Sequence, residues 1–142
     1  MKFPSAAWCE RLLELARGDP ESAAAATGWK GDVGALVEAE PGKLAQPFAV
    51  HFTPDPKRFA RFEVLEDADE LDEMEPAYLA QAPYSVWKGL IQGRLDPVEA
   101  VLTKKVKMRG DLQQIIERMR YKGLMDRVLA QLPSEFPDEE GR

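Results

Sequence analysis

The residue types that most often carry catalysis are scarce in this chain, which contains one histidine and one cysteine. His51 lies in a segment that alternates in the manner of a strand, on the face opposite Val50 and Phe52. A histidine on the polar face of a strand is usually only exposed, so a general-base role for His51 is the weaker hypothesis. Cys9 lies on a predicted helix, where we expect a small apolar residue rather than a nucleophile.

Carboxylates are concentrated in one segment, because residues 63–75 contain eight of them and no basic residue. Such a run could hold calcium, but the ordered Asp-x-Asp-x-Asp-Gly spacing with a glutamate at the twelfth position is absent. We interpret 66–76 as a solvated connecting segment, either a loop or a short helical turn. The single cysteine excludes a disulfide framework and a cysteine-based zinc site. We therefore predict no metal, no cofactor and no catalytic residue, and a protein that is not an enzyme.

Charge is distributed unevenly along the chain, whose formal net charge is −6. Residues 1–87 carry a net charge of −8, residues 88–127 one of +5, and residues 128–142 one of −3. A nucleic-acid-binding protein is usually basic overall, with aromatic residues among its lysines and arginines. The basic third of this chain has Tyr121 as its one aromatic residue. We predict that no nucleic acid is bound, whereas an anionic membrane surface or a small acidic ligand is compatible with the charge.

The length of 142 residues predicts one compact domain over 1–142. Hydrophobic residues make up 44% of the chain and charged residues 31%, which excludes a disordered protein. No apolar run approaches the roughly 20 residues of a membrane span. The N-terminal segment lacks the pattern of a signal peptide, and the last residues carry no receptor-read tripeptide. These features predict a soluble cytoplasmic protein.

The order of predicted elements indicates an α+β fold with helices on one side of a mainly antiparallel sheet. A helix at 5–17, capped by Ser5, precedes three strands whose short connections predict an antiparallel meander. The predicted strands are 31–40, 44–53, 59–65, 77–82 and 104–109. Later helices begin at Ser85 and Asp96, and a helical hairpin over 111–132 breaks around 121–123. We expect the tail, 133–142, to be mobile.

The helices expected to cover the sheet carry large apolar side chains at helical spacing, among them Trp87, Leu90 and Ile91. Such residues usually fill a core, but flexible ones such as Met119 also line adaptable ligand surfaces. Periodicity alone leaves open whether these stripes enclose a filled core or a hollow one.

Residues 93–111, GRLDPVEAVLTKKVKMRGD, resemble the signature of the sterol carrier protein family of non-specific lipid-transfer domains. The shared features are a glycine, an Asp-Pro pair followed by an alanine, a strand of alternating lysine and apolar residues, and a closing Gly-Asp. In this chain they are Gly93, Asp96-Pro97, Ala100, residues 105–108 and Gly110-Asp111. The order of elements also matches over residues 30–120. The family often has a glycine where this chain has Lys104.

The resemblance implies a five-stranded sheet and an apolar tunnel, between the sheet and the helices, that holds a sterol, fatty acid, acyl-CoA or phospholipid. The residues that would line it are Val50, Phe62, Trp87, Leu90, Ile91, Leu102, Val106, Met108, Ile115, Ile116, Met119 and Leu124. The two-part terminal helix is the candidate lid. Basic residues near it that could meet an anionic headgroup or membrane are Lys104, Lys105, Lys107, Arg109, Arg118, Arg120 and Lys122.

We therefore predict a lipid-binding or lipid-transfer protein that meets membranes transiently; a homodimer is left open. One alternative is an accessory module that presents a lipid intermediate, such as an isoprenoid quinone precursor, to partner enzymes. Another is an enzyme that uses His51 or a carboxylate of the acidic segment. A third is an interaction protein with a filled core, which would be destabilised by Ile116→Trp where a hollow core would tolerate it.

Overall fold

The computed structural model of this protein describes residues 1–27, 31–55 and 59–139. It has the predicted α+β architecture, with one five-stranded sheet. The strands are β1 (Val33–Glu38), β2 (Phe48–Asp55), β3 (Phe59–Leu65), β4 (Tyr78–Pro83) and β5 (Lys107–Arg109). The helices are α1 (Ala6–Arg17), α2 (Ser22–Thr27), α3 (Ala68–Met74), α4 (Tyr84–Ile91), α5 (Pro97–Leu102), α6 (Leu112–Arg118) and α7 (Lys122–Ala130). Among the described residues, no helix is long and apolar enough to cross a membrane.

The sheet has the strand order β3-β2-β1-β4-β5. The first three strands form the predicted antiparallel meander, and β5 pairs antiparallel with β4. Between β3 and β4 the chain returns to the other side of β1, so that β4 pairs parallel with β1 and Val37 lies opposite Ala82. The sheet is therefore mixed, with one parallel pair at its centre.

The predicted strand 104–109 is shorter than expected, because β5 begins only at Lys107. The chain leaves α5 through a tight turn in which Lys104 donates its backbone N–H to Val101 and Val106 donates to Ala100. Lys104 has a φ of 62°, in the left-handed region that favours glycine. Residues 104–106, which the alternating pattern predicts as part of the strand, therefore belong to the turn.

Three helices begin where the sequence predicts. Ser5, Asp96 and Asp111 each accept a hydrogen bond from the backbone N–H three residues on, at 3.0, 3.1 and 3.2 Å. The prediction for Ser85 is wrong, since α4 begins at Tyr84 with Pro83 at its N-cap. The Ser85 hydroxyl and N–H both donate to Glu40, each at 2.7 Å, so a remote carboxylate satisfies this helix end.

Helix α3 lies on the opposite face of the sheet from the cavity described below, so the helices are not all on one side. It is formed by the acidic segment, and its Leu71 is 1% exposed among Leu36, Ala49 and Leu79. Gly34 of β1 allows this approach, because a Cβ there would lie 2.7 Å from Leu71 Cδ1. The acidic segment therefore buries one apolar residue as well as presenting charge to solvent.

The C-terminal residues up to 139 lie against the core, contrary to the expectation of a mobile tail. Phe136 is 5% exposed and packs edge-on against Phe3. Asp138 accepts hydrogen bonds from the Tyr84 hydroxyl at 2.7 Å and from Lys88 Nζ at 3.0 Å. Buried aromatic contact and paired charge anchor this stretch; residues 140–142 lie outside the described residues.

The terminal helix breaks slightly earlier than predicted. A 3₁₀ turn, Met119–Tyr121, joins α6 to α7, and Gly123 lies inside α7. A tighter helical turn with poorer hydrogen bonds, rather than the glycine, interrupts the helix.

Candidate functional site

A cavity of about 1060 Å³ lies between one face of the sheet and the helices. Its floor is the face of β1 and β2 that carries Ala35, Val37, Val50 and Phe52. Apolar walls come from α1, α4 and α7 through Trp8, Leu12, Trp87, Ile91, Leu124 and Leu129. The lining is largely apolar, as in sites for hydrophobic ligands.

The two tryptophans in the walls are held by hydrogen bonds from their indole nitrogens. Trp87 Nε1 donates to the carbonyls of Leu36 at 3.0 Å and Ala82 at 3.1 Å, so the ring lies across the β1–β4 boundary. Trp8 Nε1 donates to Ser134 Oγ at 2.9 Å. Each indole therefore presents an apolar surface to the cavity with its one donor satisfied elsewhere.

Polar side chains are confined to one part of the lining, around α5 and the α6–α7 junction. Lys122 Nζ lies 3.2 Å from Asp126 Oδ2, and these two charges compensate each other. Arg118 differs, because its Nε and Nη1 are buried and have no hydrogen-bond partner among the described residues. Its guanidinium carbon lies 5.2 Å from the centre of the Tyr121 ring.

Half of the predicted lining residues border this cavity: Val50, Trp87, Leu90, Ile91, Met119 and Leu124. The other half lie elsewhere. Val106 and Met108 pack with Ala82 and Ala100 over β4 and β5, and Phe62 packs towards α1 beside Phe52. Ile115 is buried outside the lining, while Leu102 and Ile116 are 61% and 37% exposed.

The predicted basic region is divided by the structure. Arg118 and Lys122 border the cavity. Arg109 instead pairs with Asp72 of α3 at 2.5 Å, and Arg120 donates to the Tyr121 hydroxyl at 2.9 Å. Lys104, Lys105 and Lys107 are exposed around the start of β5, away from the lining. A headgroup inside the cavity would therefore meet the α6–α7 junction rather than β5.

His51 does not border the cavity. It lies on the opposite face from Val50, and its Nε2 is 2.6 Å from Asp32 Oδ2. It is thus paired and largely covered rather than simply exposed. Burial would raise the pKa of Asp32, but hydrogen bonds from His51 and from the Ala77 N–H hold it below its ordinary value. The pair ties β1 to β2 and to the start of β4.

Cys9 does border the cavity, but its environment keeps it unreactive. It is 3% exposed, and burial raises the pKa of its thiol to about 12. The thiolate is the nucleophilic form, so at neutral pH this side chain behaves as an apolar wall. Among the described residues, no group of histidine, cysteine and carboxylate side chains is arranged to hold a metal ion.

Several lining residues were not among the predicted ones. Ala35, Val37 and Phe52 complete the floor, and Trp8, Leu12 and Leu129 complete the walls. The alternation of β2 already placed Phe52 on the same face as Val50, so the pattern could have predicted Phe52 as a lining residue. The small side chains of β1 carried no comparable signal.

The fold is shared with solved sterol carrier proteins. Against the crystal structure of sterol carrier protein 2 the TM-score is 0.71 at 18% identity, covering 91% of this chain and 98% of that one. A conserved hypothetical protein of Thermus thermophilus, described as a candidate sterol carrier protein, gives 0.73 at 17% identity over 92% and 90% of the two chains.

A third structure, the sterol carrier protein domain 2 of Helicoverpa armigera, gives a TM-score of 0.56 at 17% identity over 87% of each chain. No protein-family model matches the sequence, and no curated protein matches it. The similarity is therefore carried by the arrangement of the backbone. The α+β fold with a five-stranded sheet, which the resemblance of residues 93–111 implies, is confirmed: this chain adopts the sterol carrier protein 2 fold.

Proposed function

We propose that this protein binds a fatty-acyl or sterol-like lipid in the cavity and transfers it between membranes. The observation that carries the proposal is the cavity of about 1060 Å³ with its apolar floor and walls. Its volume is at the upper end of the range for small-molecule sites. Each CH₂ group withdrawn from water contributes about 0.8 kcal/mol, so such a space binds an alkyl chain without specific polar contacts.

The same geometry supports binding without catalysis. The thiol at the cavity, Cys9, is held protonated, and His51 lies on the other face of the sheet. The cavity also argues against the alternative of a filled core. We propose that the cytoplasm, the compartment predicted from the sequence, is where the protein acts.

The α6–α7 junction is our candidate for the moving part of the cavity wall. Met119 and Tyr121, both in the 3₁₀ turn, line the cavity, and a 3₁₀ turn between two α-helices often marks a hinge. Movement there would open the wall while leaving the sheet unchanged.

Native mass spectrometry of the freshly purified full chain, followed by organic extraction, tests the proposal. We expect a bound lipid, or saturable binding of a fluorescent fatty acid by protein stripped of lipid. Failure of both would contradict the proposal. Transfer between donor and acceptor vesicles then distinguishes a carrier from a module that presents its lipid to a partner enzyme, which would transfer poorly on its own.

A matched pair of variants locates the binding. Ala35→Trp should weaken fatty-acid binding tenfold or more, because the indole would occupy the space above β1. Ile116→Trp is the control, since Ile116 is 37% exposed and lies outside the lining. Equal effects of the two substitutions would place the lipid outside this cavity.

A further inference from the structure

Arg118 stands at the end of α6 and borders the cavity. Its Nε and Nη1 are both buried, and no described residue accepts a hydrogen bond from either. Guanidinium stays charged at all physiological pH values, so it cannot avoid this cost by losing a proton. Buried donors in native proteins are nearly always paired, and an unpaired one calls for a partner that is not part of the chain.

Two other cations of the described residues, Lys88 and Arg127, are held by carboxylates. Lys88 lies between Asp138 and Glu139, at 3.0 and 3.1 Å. Arg127 donates to both carboxylate oxygens of Asp19, each at 2.8 Å. Arg118, by contrast, has no carboxylate within ion-pair distance among the described residues.

The nearby polar side chains do not supply the missing acceptor. The Tyr121 ring, 5.2 Å from the guanidinium carbon, attracts the cation but offers its N–H groups no oxygen. The carboxylate of Asp126 is paired with Lys122, and that of Asp96 accepts the Glu99 N–H. Glu99 also borders the cavity but makes no ion pair with Arg118.

We infer that Arg118 binds the anionic oxygen headgroup, carboxylate or phosphate, of a lipid whose chain occupies the cavity. The inference rests on the proposed function and adds a ligand class to it: acidic single-chain lipids over neutral ones. Nε and Nη1 are closed to solvent in this structure, so the side chain would rotate towards the cavity to bring its N–H groups to an oxyanion there. The oxyanion would accept them in charge-assisted hydrogen bonds, while the apolar floor contacts the alkyl chain. The headgroup would then lie at the α6–α7 junction, beside the candidate hinge.

The test compares oleic acid, oleyl phosphate and oleyl alcohol, three probes with the same chain and different headgroups. Binding to the full chain stripped of lipid is followed by titration calorimetry. We expect Arg118→Met to weaken oleic acid or oleyl phosphate binding tenfold or more, in line with a lost hydrogen bond between charged groups, and to leave oleyl alcohol within about twofold. Whichever acid loses more affinity identifies the headgroup chemistry.

Arg17→Met is the matched control, because it removes an arginine charge at an exposed position outside the lining. It should leave all three affinities unchanged. Arg118→Lys keeps the charge but not the guanidinium donors, and should retain part of the preference for acids.

The outcomes separate this inference from the proposed function. If the unmodified protein binds none of the probes, the proposed binding of a fatty-acyl lipid fails. If it binds all three and Arg118→Met changes none of them, or weakens acid and alcohol equally, the lipid site stands and the role of Arg118 is overturned.

Discussion

The helix-covered face of the sheet has two halves that use similar residues and pack differently. Over β4 and β5, Ala82 is 1% exposed, in contact with Ala100, Val101 and Val106. Over β1 and β2, Ala35 borders the cavity. Strands β1 and β4 are paired in parallel, so both alanines lie on the same face and in neighbouring strands. We call these the filled half and the hollow half.

The difference comes from the helices above rather than from the strands below. Helix α5 and the turn after it bring Ala100, Val101 and Val106 down onto β4. Above β1 the nearest walls are α1, α4 and α7, which stand around the floor instead of covering it. Trp87, bonded to carbonyls of both strands, lies at the border. One continuous apolar face can therefore support a core in one half and a cavity in the other.

The largest effect should come from placing a larger side chain in the filled half. Ala82→Trp would force an indole into a fully packed layer, and we expect a loss of about 3 kcal/mol in the free energy of unfolding. Urea denaturation followed by circular dichroism measures it. Ala35→Trp, the same change in the hollow half, should cost less than about 1 kcal/mol. Similar losses from the two variants would mean that the halves do not differ in packing.

A second effect concerns the charged pair that anchors the C-terminal segment beside the hollow half. Burial would raise the pKa of Asp138, but hydrogen bonds from Tyr84 and Lys88 hold it below its ordinary value of 3.8. Asp138→Asn leaves Lys88 with Glu139 as its remaining partner, and we expect a loss of about 2 kcal/mol at pH 7.

The pH dependence follows from the direction of that shift. A lowered pKa in the folded state stabilises the fold above the unfolded-state pKa, and this contribution is lost as pH falls through the folded-state pKa. The difference in unfolding free energy between the unmodified protein and Asp138→Asn should therefore be constant near neutrality and shrink below about pH 4. A difference that stays constant down to about pH 2 would contradict the role given to this carboxylate.

The smallest effect is expected at the border between the halves. Trp87→Phe keeps an aromatic wall but removes the donor shared by Leu36 and Ala82, and should cost about 1 kcal/mol of unfolding free energy. Fatty-acid affinity should change less than threefold, because the wall remains apolar. A large loss of binding with little loss of stability would instead make Trp87 a ligand contact rather than a support.

Local features were the most predictable from sequence. The caps at Ser5, Asp96 and Asp111 depend on residues three positions apart, and all three are present. The cap predicted at Ser85 failed because Glu40, 45 positions away, takes its place. The tail was misjudged for a similar reason, since its polar residues find partners on α4 that no local pattern reveals.

Half of the lining residues predicted from the sequence border the cavity. Periodicity identified apolar faces, and the family resemblance then assigned both Val50 and Val106 to the lining. The structure places Val50 at the cavity and Val106, 5% exposed, in the filled half. Alternation reports only which face a side chain occupies, so it cannot tell a residue facing empty space from one facing another side chain.

The amino-acid sequence decided the elements of this protein, the ends of most of its helices and the apolar faces of its strands, because each depends on residues close together in the chain. Tertiary structure decided the rest. Whether the layer above a strand is filled, and whether Arg118 finds a carboxylate, depend on the distance between elements that meet only after folding. Small changes in that spacing turn the same apolar face into a core or a cavity.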